Sequence, residues 1–193
     1  MERSSRFISL SGLSGIAAGI CALTGAWIAG GMLYSGGARA RLKESLHTDV
    51  LDKLSLQLLG LAAATFAAAF ISAFYLTWRK AKKNNLPLWD HVSRRLFWNM
   101  VIPMVTGGLF ILSMLYYDEW RFVGPSCLIF YGLALVNASK YTLTDIRYLG
   151  YSEIILGLIS TMFIGYGLYF WAAGFGILHI FYGALMWNKY ERK

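Results

Sequence analysis

Apolar residues occur along this chain in long runs, and short polar or basic segments separate the runs. The runs cover residues 7–34, 54–78, 96–117, 122–139, 151–170 and 173–188. A bilayer span requires about 20 mostly apolar residues, and no run shows the alternation of a barrel strand. Because lipid offers no partner to backbone N–H and C=O groups, each run is expected to be helical. The pattern predicts an all-α integral membrane bundle of six transmembrane helices, forming one domain over residues 1–193.

The basic residues predict how this bundle is oriented. Cytoplasmic loops of polytopic proteins are enriched in lysine and arginine. If the N-terminus is cytoplasmic, the inner segments carry 13 of the 18 basic residues. The bias therefore predicts that both termini lie in the cytoplasm, with an even number of spans.

Composition agrees with a membrane location and excludes some partners. Hydrophobic residues make up 57% of the chain and charged residues 15%, whereas a soluble domain averages about 45–50% and about 25%. The net charge of +8 follows from the inner-loop bias, so nucleic-acid binding is not expected. Cys21 and Cys127 both lie in apolar runs and are expected to be small buried hydrophobes rather than disulfide partners or metal ligands.

The predicted cytoplasmic loop 79–95, RKAKKNNLPLWDHVSRR, is strongly basic. It contains six basic residues, one acidic residue and an apolar centre, which suits the anionic inner leaflet at about 1 kcal/mol per lysine or arginine. An ordinary connecting loop is the alternative interpretation. The candidate residues for docking a lipid or a protein partner are Arg79, Lys80, Lys82, Lys83, Trp89, Arg94 and Arg95.

Two further patterns concern packing. In the first loop, residues 36–54 place an aliphatic residue at every fourth position from Leu42, which predicts a helical extension of the second span. In the first span, Ser11, Gly15 and Gly19 are four residues apart, and such small-residue faces allow helices to approach closely in lipid. That close packing is expected within one chain or between copies, so a homo-oligomer stays open.

Polar residues at membrane depth are candidate functional residues by default, because they are costly there. In the third span Asn99 lies one turn before Pro103, which frees a backbone carbonyl. The candidate residues of a ligand site or transport path are Asn99, Asn137, Lys140, Glu153, His179 and Tyr182.

Glu153 is expected to pair with Lys140. The segment that joins spans four and five is short, so these spans are expected to be antiparallel neighbours. Glu153 is predicted about one turn from the cytoplasmic end of its span, close in depth to Lys140. A structural ion pair and an ion or substrate site are the two interpretations.

His179 is predicted about six residues, roughly 9 Å, from the outer end of the last span. It shares a helix face with Gly176 and Gly183. A hydrogen bond to a hydroxyl or carbonyl group of another helix is the favoured prediction, and a proton relay or cofactor ligation are the alternatives. The other histidines lie in loops on opposite sides, so bis-histidine haem within one chain is not expected. Direct contact with Glu153 is not expected either, because that residue is predicted nearer the cytoplasm.

No sequence motif indicates an enzyme. The chain lacks H-E-x-x-H, G-x-S-x-G, a Walker loop and C-x-x-C. This argues against an enzyme without excluding one: no catalytic residue and no metal site are predicted, and the cofactor stays open. The leading hypothesis is a non-enzymatic membrane protein that binds a lipid or protein partner in a sensory or regulatory role. The alternatives are a small transporter or channel and a membrane redox protein or enzyme that uses His179.

Three stretches carry a resemblance to known proteins: RSSRFISLSGLSGIAAG (3–19), FYGLALVNASKYT (130–142) and GFGILHIFYGALMWNKYE (174–191). Together they resemble a group of small, uncharacterised bacterial polytopic membrane proteins of similar length. The resemblance implies a bacterial cytoplasmic membrane. It implies no activity and no functional residues, because none is assigned to that group.

Overall fold

Helices form most of the described part of the chain. In a computed structural model, the described residues are 12–34, 53–83, 89–190 and 192, and they contain no strand. The six helices are α1 (Gly12–Tyr34), α2 (Lys53–Lys83), α3 (His91–Tyr116), α4 (Val123–Ala138), α5 (Ile146–Met162) and α6 (Gly167–Tyr190). A short 3₁₀ turn, Trp120–Phe122, precedes α4. The predicted all-α class is therefore confirmed.

Five of these helices are long and apolar enough to cross a membrane, as expected of a multi-pass membrane protein. They are α1, α2 from Leu54, α3, α4 together with the preceding 3₁₀ turn, and α6. The other helix, α5, has 17 residues and is about 25 Å long at 1.5 Å per residue.

Several helix ends differ from those that the apolar runs predicted. The basic segment is mostly helical, because α2 continues to Lys83 and α3 begins at His91. The lysines in the last turn of α2 favour this extension, since they lie at the negative end of the helix dipole. The side chain of Asp90 caps α3 by accepting a hydrogen bond of 2.7 Å from the Ser93 amide. Most of segment 36–54 lies outside the described residues.

Glycines set the closest helix contacts. A Cβ atom on Gly15 would lie 3.2 Å from Cα of Gly183, and one on Gly19 would lie 2.7 Å from the carbonyl oxygen of Gly176. The small-residue face of α1 thus packs against α6 within the chain, where side chains would keep the backbones apart.

The α4–α5 pair is antiparallel along its full length. A Cβ atom on Gly150 would lie 2.8 Å from the carbonyl oxygen of Gly132, and one on Gly157 would lie 3.0 Å from that of Pro125. Since the contacts advance along α5 as they recede along α4, the two helices run in opposite directions. Because α4 and α5 pack side by side, side chains from both helices can contact α6.

Candidate functional site

A π-helical segment interrupts α6 just before His179. The helix is α-helical over Gly167–Trp171, π-helical over Ala172–Leu178 and α-helical again from His179. A Cβ atom on Gly174 would collide with Oε2 of Glu153, so only glycine allows the carboxyl group to approach the helix so closely. Wider turns of this kind occur frequently at functional sites, and this one brings its backbone to the side chain of His179.

Both ring nitrogens of His179 have hydrogen-bond partners inside the bundle. The residue is 6% exposed, its Nδ1 lies 3.0 Å from the carbonyl oxygen of Gly174, and its Nε2 lies 2.8 Å from the Tyr131 hydroxyl on α4. A carbonyl oxygen only accepts, so Nδ1 carries the hydrogen, and with a neutral ring the Tyr131 hydroxyl donates to Nε2. The predicted hydrogen bond to a hydroxyl group of another helix is confirmed.

Glu153 of α5 is fully buried and lies against the same imidazole. It is 0% exposed, and its Oε1 lies 3.4 Å from Nδ1 of His179. Among the described residues, neither carboxyl oxygen has a hydrogen-bond partner. A carboxyl group so placed is costly to bury, especially as an anion. We call Tyr131, Glu153 and His179 the buried triad.

The expectation that Glu153 and His179 do not touch was wrong, and the helix ends explain why. The helix α5 begins at Ile146, seven residues before Glu153, rather than near residue 151. Likewise α6 begins at Gly167, twelve residues before His179, rather than near residue 173. At 1.5 Å per residue, these shifts move both side chains inward by roughly 8–9 Å, which brings them to a common depth.

The pairing predicted between Lys140 and Glu153 was also wrong. Lys140 is exposed in the turn that follows α4, whereas Glu153 lies two turns inside α5. The ionisable side chain that lies beside Glu153 in the described part of the chain is His179. A lysine at the end of a span keeps its ammonium group in water, so it cannot reach that depth.

Tyr131 was not predicted as a site residue. It lies eight residues into α4, or about 12 Å along the helix, and its ring packs 5.0 Å from that of Phe175. Tyrosines in membrane proteins are enriched at the interfaces. The position of Tyr131 in the middle of a span, rather than at its end, was therefore the sequence feature that could have indicated a site residue.

The remaining path candidates do not join the buried triad. The amide group of Asn99 donates a hydrogen bond of 2.9 Å to the Arg95 carbonyl within α3, and α3 packs mainly on α4. Asn137 is half-buried in the last turn of α4, and Tyr182 packs against the apolar cluster around Leu135. The structure thus assembles two of the six predicted residues, Glu153 and His179, into one site.

The predicted docking residues lie in the last turns of α2 and around the start of α3, and all are exposed except Lys80, which is half-buried. We call these residues the basic surface. The ammonium group of Lys82 lies 5.3 Å from the centre of the Trp78 ring, and Trp89 is exposed beside Phe97. Hydrogen bonds from the side chain and amide of Ser93 lower the pKa of Asp90 below its usual range. The acid therefore stays ionised as the cap of α3, and the neighbouring arginines lie one turn further on.

Comparisons with known proteins supply no analogue for this arrangement. No family model, curated protein or solved structure matches the chain. In the described residues no group of three or more histidine, cysteine, aspartate and glutamate side chains could hold a metal ion. The function is therefore argued from the chemistry of the buried triad.

Proposed function

We propose that the chain is a non-enzymatic membrane protein with a sensory or regulatory role, and that the buried triad is its proton-binding centre. One observation carries this proposal: the Glu153 carboxyl group is fully buried with no hydrogen-bond partner among the described residues, and its Oε1 lies 3.4 Å from a His179 Nδ1–H group that already donates to a carbonyl. Ionisable groups inside a membrane bundle are rare, and they are candidate proton or ion sites by default.

The donors and acceptors of the triad suit the binding and release of one proton. With a neutral imidazole, Tyr131 donates to Nε2, and Glu153 stays uncharged only if it keeps its own proton. If that proton moves to the ring, Nε2 becomes a donor, and the Tyr131 hydroxyl has to turn its hydrogen away. Release of the proton to water would leave a buried carboxylate beside the imidazole, so a change in proton content is expected to alter the contacts among α4, α5 and α6. Such a change in helix packing is the regulatory output that we propose.

Infrared difference spectroscopy of the reconstituted protein after a pH jump tests the proton site. We expect raising the pH to remove the C=O band of a protonated carboxyl group in the wild type and to have no such effect in Glu153→Gln. Glu119→Gln is the matched control, because Glu119 is paired with Arg121 at 2.7 Å near the surface. The proposal fails if the wild type lacks this band or if the band persists in Glu153→Gln.

The basic surface is proposed to bind anionic lipid or a protein partner on the cytoplasmic side. Exposed lysines and arginines near an anionic leaflet each contribute about 1 kcal/mol. We expect a variant with Arg79, Lys80, Lys82 and Lys83 changed to glutamate to retain less phosphatidylglycerol during purification at low salt. Reversal of Arg121, which lies in the 3₁₀ turn beyond the other end of α3, is the control and should leave retention unchanged. Equal retention by both variants would remove the docking role.

A small proton-coupled transporter is the second candidate, because Glu153 and His179 do converge. The other path candidates lie apart from these two residues. The geometry therefore favours a site that couples transport to a proton, and it does not favour a continuous polar path. Proteoliposome flux that survives Glu153→Gln combined with His179→Ala would exclude this candidate. A haem protein using His179 has less support, since both ring nitrogens are engaged.

We further propose a bacterial cytoplasmic membrane, six spans and cytoplasmic termini. The 13 to 5 division of basic residues supports this orientation. The antiparallel contact of α5 with the full length of α4 supports α5 as the additional span.

A further inference from the structure

An apolar groove runs between α1 and α6 at the end of the bundle where α1 finishes and α6 begins. The volume of the groove is about 400 Å³, which is within the range of about 300–1,000 Å³ typical of ligand sites. Gly30 and Gly31 line it from α1, and Ala172 lines it from α6. No charged side chain is among the described residues that line it, so this part of the groove suits a hydrocarbon ligand.

The glycines create the space in this groove. A Cβ atom on Gly31 would meet nothing within 4 Å, and one on Gly30 would meet the nearest side-chain atom at 3.8 Å. Backbone without side chains therefore forms part of the wall. Tyr34 and Tyr169 also line the groove, with their ring centres 6.2 Å apart. Aromatic rings with a hydroxyl group favour the level of the lipid headgroups.

We infer that this groove binds one acyl chain of a phospholipid, with the headgroup beside the tyrosine hydroxyls. In the proposed orientation, this lipid belongs to the outer leaflet. A helix of a second copy fits less well, because Trp27 lines the groove and is 81% exposed, whereas close helix pairs in lipid need small residues. A single hydrocarbon chain can lie beside this indole ring.

The site is separate from both the buried triad and the basic surface. The groove is at the opposite end of α1 from Gly12, and its lining includes no residue of the triad. Ala172 nevertheless belongs to both the groove and the π-helical segment. A bound chain would therefore contact the segment that presents Gly174 to His179.

Photolabelling of the full chain in vesicles tests this inference. The vesicles contain phosphatidylethanolamine and phosphatidylglycerol with a trace of phosphatidylethanolamine that carries a diazirine on one acyl chain, and mass spectrometry maps the labelled residues. Gly31→Leu should fill the groove without a clash, since the position faces open space. Gly60→Leu on α2, where an added Cβ atom also meets nothing within 4 Å, is the matched control.

We expect Gly31→Leu to reduce labelling of the groove residues by at least about tenfold, the change expected when roughly two buried CH₂ groups lose their contacts. Labelling of α2 should stay constant, and Gly60→Leu should leave the groove labelling unchanged. The inference is overturned if the groove and α2 are labelled equally and Gly31→Leu changes neither. It is also overturned if the groove is unlabelled. A second experiment replaces the phospholipid probe with a photoreactive isoprenoid, and labelling of the groove by the isoprenoid but not by the phospholipid would likewise overturn the inference.

Discussion

The position of one hydrogen atom organises the buried triad. Because the Gly174 carbonyl can only accept, the hydrogen of the neutral His179 ring lies on Nδ1, and Nε2 is left to accept from Tyr131. Glu153 then competes with a backbone carbonyl for the same N–H group, at 3.4 Å against 3.0 Å. The carboxyl group is thus the least satisfied member of the triad, which is why we assign the exchangeable proton to it.

Removal of the Tyr131 hydroxyl tests this arrangement at the scale of single residues. We expect Tyr131→Phe to lower the free energy of unfolding by about 0.5–2 kcal/mol, the range for hydrogen bonds between membrane helices. The physical reason is that Nε2 of His179 loses its donor while it stays buried. Equilibrium unfolding in mixed micelles measures this difference.

Tyr151→Phe is the control for that measurement, because Tyr151 is on α5 and its side chain is exposed. It should unfold with the wild-type free energy. Equal stability of Tyr131→Phe and wild type would show that the hydroxyl does not serve as the donor to Nε2.

At the scale of helices, each apolar run corresponds to a helix in the described part of the chain, but the runs did not predict the depth of the side chains. Hydropathy places a boundary where the polarity changes, yet the structure begins α5 and α6 five and six residues earlier. Errors of about one and a half turns at each of two helix ends were enough to separate Glu153 from His179 in the prediction. The π-helical segment was not predictable in the same way, because its residues, AAGFGIL, are apolar throughout and leave no periodic signal.

Gly174 connects this segment to the triad, and its substitution tests that role. A Cβ atom at Gly174 would collide with Oε2 of Glu153 and Cδ2 of Leu128. We expect Gly174→Ala to destabilise the protein by about 1–3 kcal/mol, as overpacking commonly does. The same substitution at Gly60 should be neutral or stabilise by up to about 1 kcal/mol through helix propensity. Thermal unfolding of both variants measures this, and a neutral Gly174→Ala would contradict the close approach.

A polar contact joins the start of α5 to the end of α6 and predicts a pH dependence. The Lys189 ammonium group donates a hydrogen bond of 2.8 Å to Asp145 and holds the pKa of that carboxyl group below its ordinary value of 3.8. Burial opposes this effect, and a hydrogen bond from the Tyr190 hydroxyl reinforces it. Because the pKa is lowered in the folded state, the contact stabilises the fold above about pH 3.8 and is lost as the pH falls further.

Asp145→Asn should therefore melt at a lower temperature than the wild type at pH 7, and the gap should close as the medium is acidified below pH 3.8. Asp118→Asn is the control: Asp118 is exposed, and its φ of 61° is a conformation that asparagine also adopts. A difference that persists unchanged in acid would mean that the Asp145 carboxylate is not its source.

At the scale of the whole molecule, the fold class could be predicted from the composition and from the length of the apolar runs. The site could not, because it depends on how the helices pack against one another. A chain that is 57% hydrophobic and contains six long apolar runs can adopt few folds other than a helical bundle. Which faces meet depends on glycines such as Gly15 and Gly183, and sequence spacing alone does not choose their partners. Tyr131 therefore became a site residue only when α4 had been placed beside α6.

The orientation of the bundle depends on whether α5 crosses the membrane, and surface cysteines can determine this. The helix is about 25 Å long, shorter than the hydrocarbon core of about 30 Å, but it runs antiparallel to α4 along its full length. With six spans and cytoplasmic termini, the turns that contain Asp118 and Ile164 face outward, and Arg192 faces the cytoplasm. We expect a membrane-impermeant maleimide to label Asp118→Cys and Ile164→Cys in intact cells, and Arg192→Cys only after permeabilisation, with Cys21 and Cys127 replaced by alanine. If α5 does not cross, intact cells label Asp118→Cys and Arg192→Cys, and Ile164→Cys is labelled only after permeabilisation. If the whole bundle is inverted, Asp118→Cys is not labelled in intact cells.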